Sequence, residues 1–216
     1  MQNISEIFDH LKCKYQEDII HNFIVRDDNN NEIAYLRPII KNYLVTDPHL
    51  PELLSRWRRE NPTISTGNLE ITVERTIKWL NDLVIDRKDR LIFIITDLKL
   101  EPLGHIGYSN LDEATESIEL DSVLRGVKNV LPGLMKHCTI KLIDWGYANL
   151  GVKDITLSVY SDNLSAVKFY EQLGFITTKK IPLVKIYMGN EEKYEVAKEG
   201  YEGLVQKFYL KMKYQK

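Results

Sequence analysis

The sequence predicts one α+β domain, and three observations support that prediction. The chain has 216 residues, of which 44% are hydrophobic and 28% charged, so it can bury one sizeable core. Apolar residues alternate with polar ones in several short runs, as in strands, and recur at helical spacing in several longer runs. No internal repeat, linker or low-complexity segment divides the chain, so we expect a single domain over residues 1–216.

The overall composition limits the classes of partner. The formal net charge is −2, which does not favour nucleic acid or an anionic membrane. Two cysteines, Cys13 and Cys138, form neither a disulfide framework nor a metal-binding spacing, which fits a reducing cytoplasm. The N-terminus lacks the basic and apolar regions of a signal peptide, and the longest apolar run, residues 91–95, is too short to span a bilayer.

Residues 1–35 are predicted to form an N-terminal extension. Apolar side chains at residues 4, 7, 8 and 11 share one face of a short amphipathic helix. Two strand-like runs, residues 21–26 and 32–37, flank an Asp/Asn cluster at residues 27–31, which is typical of a hairpin.

Two helices and a three-stranded meander follow. Asp47-Pro48 begins the first helix and Asn61-Pro62 ends it, while Thr72 is a candidate N-cap for a second helix that runs to Ile85. The continuous apolar run at residues 90–96 is typical of a central strand. Strands at residues 103–108 and 117–123 complete the meander, and the glycines of the former, Gly104 and Gly107, allow close approach of neighbouring backbones.

The second half alternates helices and strands. A helix is predicted over residues 134–149, a strand over residues 155–160, and a last helix that Asn163 caps and Gly174 ends. A strand at residues 185–188, a charged insert at residues 190–200 that is compatible with a helix, and an alternating strand at residues 208–214 complete the chain.

Two motifs in this second half resemble those of a known family. Asn163, Ala166, Tyr170 and Gly174-Phe175 match the pattern Asn-x-x-Ala-x-x-x-Tyr-x-x-x-Gly-Phe of the GCN5-related N-acetyltransferases, the GNAT superfamily. Arg125-Gly126 followed by Gly133 is similar to that family's Arg/Gln-x-x-Gly-x-Gly pyrophosphate loop. The loop departs from the pattern, because residues 127–132 lengthen it and Met135 stands where a second glycine is expected. This version resembles bacterial enzymes that acylate nucleotide-linked amino sugars.

The resemblance implies a GNAT fold with a mixed central β-sheet, flanking helices and, here, an extra N-terminal hairpin. It also implies acyl-coenzyme A as co-substrate, either acetyl-CoA or a larger acyl-CoA such as 3-hydroxybutyryl-CoA, and no metal. A glycine-containing loop that runs into a helix N-terminus supplies N–H donors for a diphosphate. The residues that we expect to bind coenzyme A are Leu120, Val123, Arg125, Gly126, Val127, Lys128, Gly133, Leu134, Met135, Tyr160, Asn163 and Ala166.

The chemistry would be attack of an amine on a thioester. The resemblance makes Tyr170 the acid that protonates the leaving thiolate and places the donor for the thioester carbonyl around Ser122. Asp121 is the first candidate for the base that accepts the amine proton, followed by Glu119 and His105. For each of these three groups, an ordinary structural role fits the sequence about equally well.

The acceptor side is expected to come from the two helices and the hairpins. Candidate contacts are Arg56, Trp57, Arg59, His105 and Glu119, because arginines can bind a diphosphate and an aromatic ring can stack on a base or sugar. A solvated helix face for the arginines and core packing for the tryptophan are the competing interpretations.

Three functions remain open at this point. The first is N-acylation of a nucleotide-linked amino sugar, such as a dTDP-amino-dideoxyhexose, for bacterial surface polysaccharide synthesis. The second is N-terminal acetylation of a protein, as in the ribosomal-protein enzymes, and the third is a non-catalytic acyl-CoA-binding module. The loop favours the first and the intact tyrosine motif argues against the third. The extra hairpin and the final strand would allow strand-edge pairing in a homodimer.

Overall fold

The computed structural model describes residues 4–14, 23–62, 67–68, 70–189 and 191–216. In chain order the elements are α1 (Ile4–Cys13), β1 (Ile24–Arg26), β2 (Glu32–Pro38), α2 (Tyr43–Thr46), α3 (Leu50–Glu60), β3 (Gly67–Asn68), α4 (Val73–Leu80) with a π-helical turn (Asn81–Ile85), β4 (Leu91–Thr96), β5 (Pro102–Asp112), β6 (Ser117–Arg125), α5 (Leu134–Asn149), β7 (Asp154–Tyr160), α6 (Leu164–Gln172), β8 (Phe175–Met188), β9 (Glu191–Val196) and β10 (Lys207–Tyr214). The chain forms two compact units, Met1–Leu50 with Lys78–Ile155 and Pro51–Ile77 with Thr156–Lys216.

The first unit is built on an antiparallel sheet in the order β1-β2-β4-β5-β6. All six residues of β4 are buried, as predicted for a central strand. Helix α5 packs on one face, where the Phe23 ring lies 4.8 Å from that of Phe93 and 5.1 Å from that of Trp145. This aromatic cluster lies in the core that holds the helix on the sheet.

The predicted close approach of backbones is confirmed in β5. A Cβ on Gly107 would overlap the carbonyl oxygen of Leu91 on β4, and one on Gly104 would overlap that of Leu124 on β6. Only a residue without a side chain fits both positions without moving a strand. The next residue, Tyr108, is fully buried, and its hydroxyl donates to the Leu142 carbonyl of α5.

A buried lysine joins α1 to the end of the π-helical turn. Lys12 is 1% exposed, and its Nζ donates to the carbonyl oxygens of Val84 at 2.7 Å, Ile85 at 3.1 Å and Arg87 at 2.6 Å. The last carbonyls of a helix have no partner within the helix, so the ammonium supplies the hydrogen bonds that the backbone cannot.

The second unit contains strands in the order β7-β10-β8-β9-β3, each antiparallel to its neighbour. Helix α6 packs on β8, with the Tyr170 ring 5.8 Å from that of Phe175. Helix α3 is joined to the start of α4 by the Ser55 hydroxyl, which lies 2.8 Å from the Thr76 hydroxyl. The Thr72 hydroxyl accepts the N–H of Arg75 at 3.2 Å, which confirms the predicted N-cap.

One predicted element is wrong. The charged insert at residues 190–200 was compatible with a helix, but residues Glu191–Val196 form strand β9 and pair with β8 from Leu183 to Met188. Strand β8 is 14 residues long, so its last part offers an unpaired edge that the insert completes. His21, Asn22 and Asn190, which were part of the predicted elements, lie outside the described residues.

Candidate active site

Strand β6 contains a bulge at Ser122 and Val123. The register pairs Gly107 with Asp121 and His105 with Leu124, so two residues of β6 oppose the single residue Ile106 of β5. Ser122 has a φ of 54°, a left-handed conformation that is uncommon for a residue other than glycine. The bulge lies where the sequence predicted the thioester site, after the buried Leu120.

A hydrogen-bonded network surrounds this bulge within the first unit. Arg90 donates from Nη2 to Asp121 Oδ2 at 2.6 Å and to Ser122 Oγ at 3.0 Å. The other oxygen of Asp121 accepts the N–H of Ser122 at 2.6 Å. The Ser122 N–H, predicted to bind the thioester carbonyl, therefore already has a partner, and both oxygens of Asp121 are engaged.

His105 is the third component of the network. It is 6% exposed, and its Nδ1 lies 2.5 Å from the Ser122 carbonyl oxygen. A carbonyl can only accept, so Nδ1 carries the proton, and in the neutral imidazole Nε2 carries the lone pair. Glu119 lies on the same face of the sheet as His105, and its Oε2 accepts a hydrogen bond from Asn110 Nδ2 at 3.2 Å.

The loop from Arg125 to Gly133 uses some of the amides that were predicted to bind the pyrophosphate. The N–H groups of Gly126 and Val127 both donate to the Leu103 carbonyl, at 2.9 and 3.0 Å, and that of Leu134 donates to Leu131 at 3.1 Å. Arg125 and Lys128 are exposed. The loop thus holds its own conformation, and the N–H groups of Gly126, Val127 and Leu134 are already engaged within it.

Gly133 is the N-cap of α5 and has a φ of 79°. This left-handed conformation costs a residue with a Cβ about 1–2 kcal/mol, and a β-branched residue more. The N–H groups of the first helical turn, including that of Met135, have no carbonyl within the helix to bind. The sequence prediction that a helix begins directly after this glycine is confirmed.

The second unit contains the tyrosine motif. Asn163 is the N-cap of α6, and its Oδ1 accepts the Ala166 N–H at 3.3 Å, as predicted. Tyr170 is 8% exposed and packs between Phe169 and Phe175, with ring centroids at 5.3 and 5.8 Å. Tyr160 ends β7 and is 6% exposed; burial first, and then the hydrogen bond from Tyr209, raises its pKa.

The predicted acceptor contacts on α3 differ in their surroundings. Trp57 is 1% exposed and belongs to the core, as the competing interpretation had it. Arg56 and Arg59 are exposed, and Arg59 donates to the Ile71 carbonyl at 3.0 Å. The half-buried arginine of this helix is Arg58, whose pKa burial lowers.

Sequence reasoning missed Arg90, because a single arginine before an apolar strand has no distinctive pattern. Its guanidinium lies 5.6 Å from the Trp79 ring centroid, and its Nε is buried with no hydrogen-bond partner within the described part of the chain. Its contact with Asp121 is visible only in the tertiary structure.

No group of three or more His, Cys, Asp or Glu side chains among the described residues could hold a metal ion. In the same part of the chain, no helix is both long and apolar enough to cross a membrane.

Comparison with known proteins identifies the family. The acetyltransferase (GNAT) domain family matches residues 39–176. A chimera of the Vibrio cholerae spermidine N-acetyltransferase SpeG and hSSAT is 14% identical, covers 84% of this chain and 94% of that chain, and has a TM-score of 0.60. A probable GNAT-family acetyltransferase from Chromobacterium violaceum is 16% identical, with coverage of 87% and 89% and a TM-score of 0.58.

A third structure, the V. cholerae spermidine N-acetyltransferase in complex with CoA and spermine, is 17% identical, with coverage of 83% and 94% and a TM-score of 0.55. No curated protein matches the chain. At these identities the structures support the fold alone, and they confirm the predicted α+β, GNAT-type class. The family match spans more than half of the 216 residues. The chain therefore belongs to the GNAT acetyltransferases, enzymes that transfer an acyl group from acyl-coenzyme A to an amine.

Proposed function

We propose that this enzyme acylates the primary amine of a nucleotide-linked amino sugar in the cytoplasm. The observation that supports the acyl-transfer chemistry is the bulge at Ser122 and Val123, which is contacted by His105 of β5 and by Arg90, the residue before β4. The lengthened loop before α5, with Pro132-Gly133-Leu134-Met135, supports the sugar nucleotide as acceptor.

The first turn of α5 would hold the diphosphate of coenzyme A. Its N–H groups are unpaired within the helix and lie at the positive end of the helix dipole. Gly133, with its left-handed φ, lets the loop turn into the helix at this point. When bound, acyl-coenzyme A supplies a thioester carbonyl and a thiolate leaving group.

Val123 is the proposed donor to the thioester carbonyl, since the N–H of its neighbour Ser122 is bound to Asp121. A backbone N–H that is held before the reaction stabilises negative charge on that oxygen without reorganisation. Arg90 and Asp121 then act as positioning residues, because they hold the bulge in its left-handed conformation.

His105 is the proposed base. Its Nδ1 bonds the Ser122 carbonyl, which fixes the tautomer with the proton on Nδ1, so Nε2 is the ring atom that would accept the proton of the attacking amine. In the second unit, Tyr170 is the proposed acid for the thiolate. Asp121 was the first candidate for the base from the sequence, and that role remains a prediction, which its engaged oxygens make less favourable than His105.

A thiol-release assay tests this proposal. Acetyl-, propionyl- and 3-hydroxybutyryl-CoA would be crossed with dTDP- and UDP-amino sugars, N-terminal peptides and polyamines. We expect release that depends on a nucleotide amino sugar, with mass spectrometry identifying the N-acyl product. Release with peptides alone, or with polyamines alone, would overturn the proposed acceptor and assign the enzyme to that other class.

A further inference from the structure

We propose that a cluster of lysines and tyrosines in the second unit binds the nucleoside diphosphate part of the acceptor. The cluster, which we call the lysine–tyrosine cluster, consists of Tyr160, Lys185, Tyr194, Lys207 and Tyr209. The sequence placed Tyr160 among the residues expected to bind coenzyme A, and the proposal assigns it to the acceptor instead. The inference rests on the proposed function for the identity of the ligand.

The strand registers place the cluster on one face of the sheet. Tyr209 of β10 pairs with Tyr160 of β7, and Lys207, two residues before Tyr209, points to the same side. Lys207 pairs with Leu183 of β8, so Lys185, two residues further along β8, also shares this side. Lys185 pairs with Tyr194 of β9, so four strands contribute to the face.

The side chains of the cluster contact one another. The Tyr160 and Tyr209 rings are stacked, with centroids 4.6 Å apart and planes at 22°, and their hydroxyls are hydrogen-bonded at 3.1 Å. The Lys207 Nζ lies 4.1 Å from the Tyr160 centroid and 5.3 Å from that of Tyr194, while the Lys185 Nζ lies 5.6 Å from Tyr194. Both lysines remain partly accessible, with 20% and 23% of their side chains exposed.

The charge on this face is positive. Registers place Lys179, Lys185, Lys207, Lys211 and Lys213 on it. Two carboxylates oppose them, Glu192, which pairs with Lys185 at 3.0 Å, and Asp162, which pairs with Lys207. On the opposite face, Lys180 and Lys193 are matched by Glu191 and Glu195. Such a face attracts a polyanion and repels a polycation such as a polyamine.

A ligand can replace the carboxylates that now pair with the lysines of the cluster. Lys207 pairs with Asp162 at 3.1 Å, and the Asp162 side chain is 63% exposed, so solvent competes for it. A diphosphate brings more charge and more acceptor oxygens than one carboxylate. The Tyr160 ring is 6% exposed and is covered by Tyr209 and Lys207, so it supports the site from below. The partly exposed rings of Tyr194 and Tyr209 provide the surface on which a nucleobase stacks, as bases do on aromatic side chains elsewhere. A charged, flat ligand uses both kinds of side chain, and a nucleoside diphosphate is such a ligand.

Calorimetry with UDP and dTDP tests the proposal. The full chain is first saturated with coenzyme A, because coenzyme A itself contains a nucleotide and its site would otherwise bind the probe. We expect both diphosphates to bind this complex, and Lys207→Met to weaken binding roughly 10-fold, which is the scale of one charge-assisted contact. The control is Lys193→Met, which removes a lysine from the opposite face and should leave the affinity within about 2-fold.

Absence of diphosphate binding by the wild type, or an equal loss in the two variants, would overturn the proposal. If Lys207→Met does not fold, the wild type still provides a test. UDP should protect Lys207 and Lys185 from reductive methylation, read by mass spectrometry, and should leave Lys193 reactive. Equal reactivity of these lysines with and without UDP would also overturn it.

The experiments distinguish a negative result for the cluster from a negative result for the proposed function. Thiol release with a nucleotide amino sugar, together with a binding constant that Lys207→Met leaves unchanged, would support the function and reject the cluster. Diphosphate binding that depends on Lys207, without thiol release for any amino sugar, would support the cluster and reject the acceptor.

Discussion

Replacing Lys12 by Met is expected to lower the free energy of unfolding of the first unit by about 2–4 kcal/mol. The substitution keeps the length and apolar stem of a 1%-exposed side chain and removes its ammonium. The carbonyls of Val84, Ile85 and Arg87 then lose a common donor. Each buried acceptor left without a partner costs about 1–3 kcal/mol, and partial hydration of the exposed helix end keeps the total below the sum.

Burial also makes the effect depend on pH. Desolvation lowers the pKa of Lys12 to about 8, below its ordinary value of 10.5. The folded protein therefore binds fewer protons than the unfolded chain between these values. By linkage, the proton-linked part of this group's stability contribution is fully present above pH 10.5 and is lost as the pH falls through about 8. The difference of about 2–4 kcal/mol between the wild type and Lys12→Met is the net value below pH 8, where the ammonium is present. The stability of the wild type relative to Lys12→Met should rise with pH across that window.

Urea unfolding and hydrogen exchange of peptides from the first unit measure both effects. The matched control is Lys41→Met, since Lys41 forms an ion pair with Asp9 in which both side chains are largely exposed. Exposed pairs contribute about 0–1 kcal/mol, so the control should unfold almost as the wild type does. Equal stability of the two variants would refute the helix-end role of Lys12, and relative stability that falls with pH would refute the lowered pKa of its ammonium.

Three further predictions concern the site. Tyr170→Phe should lower turnover roughly 10- to 1000-fold, the scale of losing one general acid, while coenzyme A affinity is kept. The control is Tyr201→Phe at an exposed position, and wild-type turnover in Tyr170→Phe would reject the acid role. Gly133→Val should weaken coenzyme A binding in calorimetry, because a β-branched residue is strained at a φ of 79° and would distort the start of α5; unchanged affinity would remove this turn from the site. His105→Gln should remove the acid limb of the pH dependence of kcat/KM. Asp121→Asn should keep that limb and lower the melting temperature, because it breaks the contact with Arg90. The reverse pattern would restore Asp121 as the base.

Local patterns in the sequence predicted the structure correctly where the interactions that form it are themselves local. The cap of α6 by Asn163 spans three residues, and the start of α5 depends on the one glycine that tolerates a left-handed φ. The apolar run of β4 is long enough to read as a central strand without knowledge of its neighbours. The helical interpretation of the charged insert was wrong because strand pairing is non-local. Nothing within residues 191–196 shows the edge of β8 with which they pair.

The sequence by itself therefore determined the fold class, most of the order of the elements, the GNAT motifs and the type of chemistry. Only the tertiary structure decided which groups surround that chemistry. The bulge at Ser122 is visible only in the register of β5 against β6, and its partner Arg90 is more than thirty residues away along the chain. Tyr160 and Tyr209 meet because β7 and β10 pair across 49 residues. Side-chain contacts between distant strands are set by register, which depends on all the packing in the sheet and leaves no local trace.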